Sequence, residues 1–128
     1  MSNIVKTSIA TNASCSAVTG LTDIGSLYPT GHLSIYTYDS TQLTWHALGN
    51  PAFQSPTDGT AFANTINDAT VLTDGTASYF TFENRDGNPL WGGEVSLSDG
   101  TGALKLETLS LAADSTVVVV AAQYIVPS

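Results

Sequence analysis

One cysteine and two histidines are the residues of this chain best suited to nucleophilic or acid–base chemistry. A Cys–His nucleophile needs Cys15 beside His32 or His46, with positive surroundings to lower the thiol pKa. Cys15 stands among Asn12, Ala13, Ser14 and Ser16 with no basic residue near, and reads as a small buried or half-buried thiol. His46 falls on the polar side of an alternating run beside Trp45, and His32 opens another such run after Pro29-Thr30-Gly31. Both read as solvated surface histidines. No Gly-x-Ser-x-Gly elbow supports a Ser–His–Asp arrangement. The expectation is a protein that is not an enzyme.

Metal and phosphate chemistry find little footing. Zinc needs clustered Cys and His, which the chain lacks. The nearest approach to a calcium loop is Glu83-Asn84-Arg85-Asp86-Gly87-Asn88. It lacks the alternating acids and distal Glu of an EF-hand and carries Arg85 at its middle. Turn chemistry accounts for Asp86-Gly87 without a metal. Gly92-Gly93 sits in a strand context rather than before a helix, so it is no phosphate cradle. No cofactor is expected. The aromatics Trp45, Trp91, Tyr28, Tyr36, Tyr38, Tyr79 and Tyr124 allow a different chemistry, stacking on sugar rings from a sheet face. They equally suit a β core or a protein interface.

The elements that must position these residues are announced by four Asp-Gly pairs: 58–59, 74–75, 86–87 and 99–100. Asp-Gly between apolar runs is a strong hairpin signal. Recurrence every dozen or so residues is the rhythm of a sandwich or barrel. Leu33, Ile35 and Thr37 alternate with Ser34, Tyr36 and Tyr38, and the run ends at Asp39-Ser40. Leu43–Leu48 is its hairpin partner, broken by Asn50-Pro51. Residues 53–59 read as a loop. Residues 60–72 mix helical spacing at Phe62 and Ile66 with the β-branched content of a strand, which is favoured for the second half. Ala77–Glu83 places Phe80 and Phe82 opposite Tyr79 and Thr81. Leu90–Leu97 answers it, with a bulge expected at Gly92-Gly93. Leu104 and Leu106 begin a short strand. Thr116–Val126 closes the chain, its Val117–Val120 run reading as buried from both sides. No segment sustains a helical period.

The predicted architecture is all-β: a single antiparallel β-sandwich, jelly-roll or Greek-key-like, over 28–128. An extended N-terminal arm over 1–27 precedes it, with one strand possible at Val5–Thr11.

Composition bounds the partners. The chain has 128 residues, enough for one domain with a core. It is 42% hydrophobic but only 11% charged, well under the usual share of about 25%. Two explanations stand side by side: a surface largely covered by a partner, and a Thr-rich β skin. Net charge is −8 with histidine neutral, and Lys6, Arg85 and Lys105 are the only Lys or Arg residues. Nucleic acid and anionic membranes both require clustered Lys and Arg, so neither is an expected partner. No apolar run reaches the roughly 20 residues of a transmembrane helix. The opening Met1-Ser2-Asn3-Ile4 lacks the layout of a secretory signal. One cysteine permits no intrachain disulfide.

Two phrases carry a resemblance. They are Leu48-Gly49-Asn50-Pro51-Ala52-Phe53 and Phe82-Glu83-Asn84-Arg85-Asp86-Gly87-Asn88-Pro89-Leu90-Trp91-Gly92-Gly93-Glu94-Val95, the latter followed by Leu104-Lys105-Leu106 and a β-rich end. Over roughly residues 31–126 the chain resembles small β-rich proteins encoded by tailed bacteriophages. The aromatic-rich runs Ile35–Tyr38 and Tyr79–Phe82 depart from that pattern. The resemblance implies a virion protein made in the host cytoplasm, foremost a capsid decoration or cement protein. Its partner would be the major capsid protein or another virion protein, with a homo-oligomer, a trimer for preference, as its own state. A tail or head–tail connector component and a carbohydrate-binding module are the alternatives. Ile4, Ile9, Val117, Val119 and Tyr124 are the candidate assembly residues.

Overall fold

The computed structural model describes residues 15–125. Among these described residues, eleven strands follow in chain order. They are β1 (His32–Tyr36), β2 (Gln42–Ala47), β3 (Thr60–Phe62), β4 (Ala69–Thr70), β5 (Gly75–Thr76), β6 (Tyr79–Glu83), β7 (Pro89–Leu97), β8 (Leu104–Leu106), β9 (Ser110–Leu111), β10 (Thr116–Val117) and β11 (Val119–Ile125). Seven of them form one sheet in the order β2-β1-β6-β7-β8-β11-β3. Two small sheets, β4–β10 and β5–β9, lie beside it. The all-β expectation is borne out.

The large sheet curls on itself. Residues 60–72 run from one edge to the other: the edge strand β3 pairs with β11, while Leu48, just beyond the opposite edge strand β2, pairs with Ile66. Asn67 N–H donates to the Ala47 carbonyl, Gly49 N–H to Thr65, and Leu72 N–H to Leu43. An open edge is a row of unpaired donors and acceptors, and this seam satisfies it. One hydrophobic cluster fills the interior, led by Phe80, Phe82, Leu33, Ile35, Leu43, Leu104 and Leu106. As the alternation predicted, Phe80 and Phe82 are buried while Tyr79 and Thr81 take the other face.

Several local expectations are corrected. The strand favoured for the second half of 60–72 is present as β4 (Ala69–Thr70), and the first half, left open between helix and strand, holds β3, where Asp58 (φ 52°) and Gly59 (φ 79°) turn the chain between Thr57 and Thr60, which exchange two hydrogen bonds. Gly92 and Gly93 form no bulge, and both keep regular register with β6. A Cβ on Gly92 would come within 2.2 Å of the Phe80 carbonyl oxygen, so close strand approach explains that glycine. The antiparallel expectation fails at one pair, since β7 and β8 run parallel. Instead of a hairpin, Asp99-Gly100-Thr101-Gly102 folds the chain back along β7. A Cβ on Gly102 would meet the Glu94 oxygen at 2.7 Å. Only Val95–Leu97 and Leu104–Leu106 overlap, which lets so short a connection join parallel neighbours.

The N-terminal expectation also changes. Residues 15–20 are helical and run into a 3-10 turn at Leu21–Asp23. Cys15, Thr19 and Thr22 are buried, so this part of the predicted arm belongs to the core. Residues 1–14, including Ile4, Ile9 and the possible strand at Val5–Thr11, lie outside the described residues.

Candidate functional site

The outer face of β2, β1 and β6 gathers most of the polar and aromatic side chains of interest. Cross-strand register puts them there: Ser34 lies opposite Trp45 and Thr81, Tyr36 opposite Gln42 and Tyr79, and His32 opposite Glu83. Partners in register share a face. At the centre is Glu83, only 6% exposed. Its Oε2 accepts from Ser34 Oγ (2.5 Å) and Thr81 Oγ1 (3.3 Å), and its Oε1 accepts from Trp45 Nε1 (3.1 Å). All three donors are neutral. A buried carboxylate tolerates its loss of water when donors replace the hydration shell. Gln42 Nε2 donates in turn to Ser34 Oγ at 3.1 Å.

Trp45 is 40% exposed. His32 stacks on it with ring centroids 3.8 Å apart and planes 9° from parallel. Tyr28 meets both rings edge-on, at 5.1 Å to His32 and 5.3 Å to Trp45. Tyr36 stacks on Tyr79 at 5.0 Å. Three of these rings and part of the Glu83 network border an open hollow of about 440 Å³, lined by Tyr28, Tyr36, Gln42, Trp45, Leu72, Glu83 and Gly87.

The Asp86-Gly87 turn places Tyr28 at this hollow. Asp86 Oδ1 accepts from the N–H groups of Ser26 and Leu27, which hold its carboxyl below the usual range. Tyr28 N–H donates to the Arg85 carbonyl, and Arg85 Nε donates to the Tyr28 carbonyl at 2.8 Å. Asn84 Oδ1 accepts from Asp86 and Asn88 N–H. Asp86 Oδ1 and Asn84 Oδ1 are therefore engaged by backbone donors. No group of three His, Cys, Asp or Glu among the described residues is placed to hold a metal.

The residues first considered for chemistry are kept apart. Cys15 is fully buried with its Sγ directed at the Tyr124 carbonyl, and burial pushes the thiol pKa up. Both histidines are buried, correcting the surface reading. His46 faces inward because it pairs with Leu33 rather than sharing the face of Trp45. The Asn67 carbonyl can only accept, so His46 Nδ1 carries the proton (2.8 Å), and Nε2 accepts from Thr44 Oγ1 (2.9 Å). Burial lowers its pKa. His46 thereby pins residue 67 at the closing seam. Burial also lowers the pKa of His32, against the opposing pull of Glu83. Its Nδ1 is buried with no partner among the described residues. Ser34 is fully buried, which keeps it from acting as an accessible nucleophile.

The two tryptophans part company. Trp91 is half-buried and packs on Phe82 (5.0 Å), Phe53 (5.6 Å) and Tyr124 (5.0 Å). Among the suggested assembly residues, Val117 is buried, and Val119 and Tyr124 are half-buried against the core. The valines that face outward are Val118 (53% exposed) and Val120 (47%). Sequence reasoning missed Glu83 and Ser34 as site residues, because only the β1–β6 register brings them beneath Trp45. Comparison with protein-family models, with curated proteins and with solved structures returns no match for this chain.

Proposed function

We propose that this protein is a non-enzymatic structural component of a tailed-bacteriophage particle, foremost a capsid decoration protein on the outer shell. The reading rests on the resemblance, and one observation supports it above the others. The two phrases that carry the resemblance pack together: Phe53 of the first lies 5.2 Å from Phe82 and 5.6 Å from Trp91 of the second. The resemblance therefore falls on a contiguous piece of folded core rather than on scattered turns.

The surface is compatible with such a role. The net charge of −8 disfavours contact with packaged DNA. Phe62 on β3, Val120 on β11 and Val118 just before it leave large apolar side chains in water on neighbouring elements, the kind of surface a capsid subunit or a second copy would cover. The proposed state is a small symmetric homo-oligomer, with a trimer preferred, bridging capsid subunits.

Quantitative mass spectrometry of purified particles of the phage encoding this chain tests the proposal. Copy numbers comparable with the major capsid protein are expected. A handful per particle would instead place the protein at the tail or connector, and complete absence would refute a virion role.

A further inference from the structure

We propose that the hollow on the outer face of β1, β2 and β6 is a carbohydrate-binding site, with Trp45 and Tyr28 as the stacking surface and Gln42 and Glu83 as the hydroxyl partners. The proposal does not depend on the virion reading.

Its size is suitable. About 440 Å³ falls within the roughly 300–1,000 Å³ of small-ligand sites. The mixture of groups matches a sugar ring, which offers weakly positive C–H groups on its faces and hydroxyls around its rim. Aromatic faces carry negative quadrupole charge and suit the former. Four lining side chains with hydrogen-bonding groups suit the latter: Tyr28, Tyr36, Gln42 and Glu83. A quaternary ammonium would use the rings and the Glu83 charge but leave the Tyr28, Tyr36 and Gln42 hydrogen-bonding groups idle, so a polyhydroxylated ring is the better match.

The site is also built in advance. His32 backs Trp45 on one side without lining the hollow. The uncovered part of the indole lines it instead. The Nε1–H bond to Glu83 fixes the indole's rotation. A ring already held in place loses little freedom when a ligand arrives, which favours affinity. Glu83 is nine-tenths buried yet lines the hollow. A carboxylate has about four acceptor positions, of which Ser34, Thr81 and Trp45 occupy three. One remains for a ligand hydroxyl. Gln42 commits its amide nitrogen to Ser34 and the Thr44 carbonyl, and its amide oxygen stays available as an acceptor.

The test is a titration of the isotopically labelled full-length protein with cellohexaose, maltohexaose, chitohexaose and xylohexaose, followed by NMR. The Trp45 and Trp91 indole N–H signals serve as internal reporters. At least one oligosaccharide is expected to shift the Trp45 signal saturably and leave that of Trp91 in place. Trp45→Ala should weaken binding about tenfold or more. Gln42→Ala, which leaves the Trp45–Glu83 bond intact, should weaken it too while the melting temperature stays near that of the parent. A folded protein that ignores all four sugars would overturn the proposal. So would binding that survives both substitutions, or saturable binding of tetramethylammonium in place of sugar.

Discussion

Trp45 and Glu83 are joined across an intervening strand. The indole N–H on β2 donates at 3.1 Å to the carboxylate on β6, passing over β1, whose Ser34 donates to the same carboxylate. Three strands are thereby tied on the face away from the core. Hydrogen bonds to a buried charge are worth about 1.5–3 kcal/mol each.

Substituting the carboxylate should therefore be costly. Glu83→Ala is expected to lower unfolding free energy by about 3 kcal/mol, and Trp45→Phe by about 1–2 kcal/mol. Because both remove the same bond, the double variant should lose less than the sum. Urea denaturation of the four proteins checks this, and strict additivity would mean that the bond contributes nothing.

Stability should fall as pH drops below about 6.5, the ordinary histidine value. Burial lowers the His46 pKa in the folded state, so the unfolded chain binds the proton more readily. The stabilisation is then present above about 6.5 and is lost below it, at up to about 1.4 kcal/mol per pH unit. Melting curves between about pH 7.5 and about pH 5 should show the fall. His46→Gln should reduce the slope, leaving the share that buried His32 contributes, while lowering stability at neutral pH.

Two glycines should respond oppositely to alanine. Gly92→Ala forces a Cβ against the Phe80 carbonyl oxygen and should cost about 2–4 kcal/mol. Gly20 is helical with open space around the added atom, so Gly20→Ala should stabilise by up to about 1 kcal/mol. Thermal denaturation of both variants decides the matter.

The valine run offers a test of the proposed assembly that is separate from folding. Val118→Asp and Val120→Asp should leave the monomer folded, since both side chains face water, while weakening self-association in sedimentation equilibrium. Val117→Asp buries an unpaired charge in the core and should cost several kcal/mol. Self-association unchanged by the two outward variants would exclude that surface from the interface.

The strands were legible where one face is buried. Phe80 and Phe82 against Tyr79 and Thr81 show period two in the residues themselves, and the β1–β2 and β6–β7 hairpins follow from Asp39-Ser40 and Asp86-Gly87. Asp99-Gly100 was less informative, because its turn ends in a parallel strand through contacts of Gly102 with β7. His46 escaped because the residues alone do not tell which side of β2 meets the interior. Val117–Val120 escaped because four like residues carry no alternation, although burial alternates along them.

By itself, the sequence determined an all-β chain, its main turns, its acidic and charge-poor character and much of its core. These properties depend on local conformational preference and on side-chain polarity, both readable residue by residue. Only the tertiary structure decided how the sheet closes, which tryptophan is presented to solvent, and that Glu83, Ser34 and Trp45 meet. Those contacts join residues 38 and 49 positions apart, and a one-residue change of register would send each side chain to the opposite face.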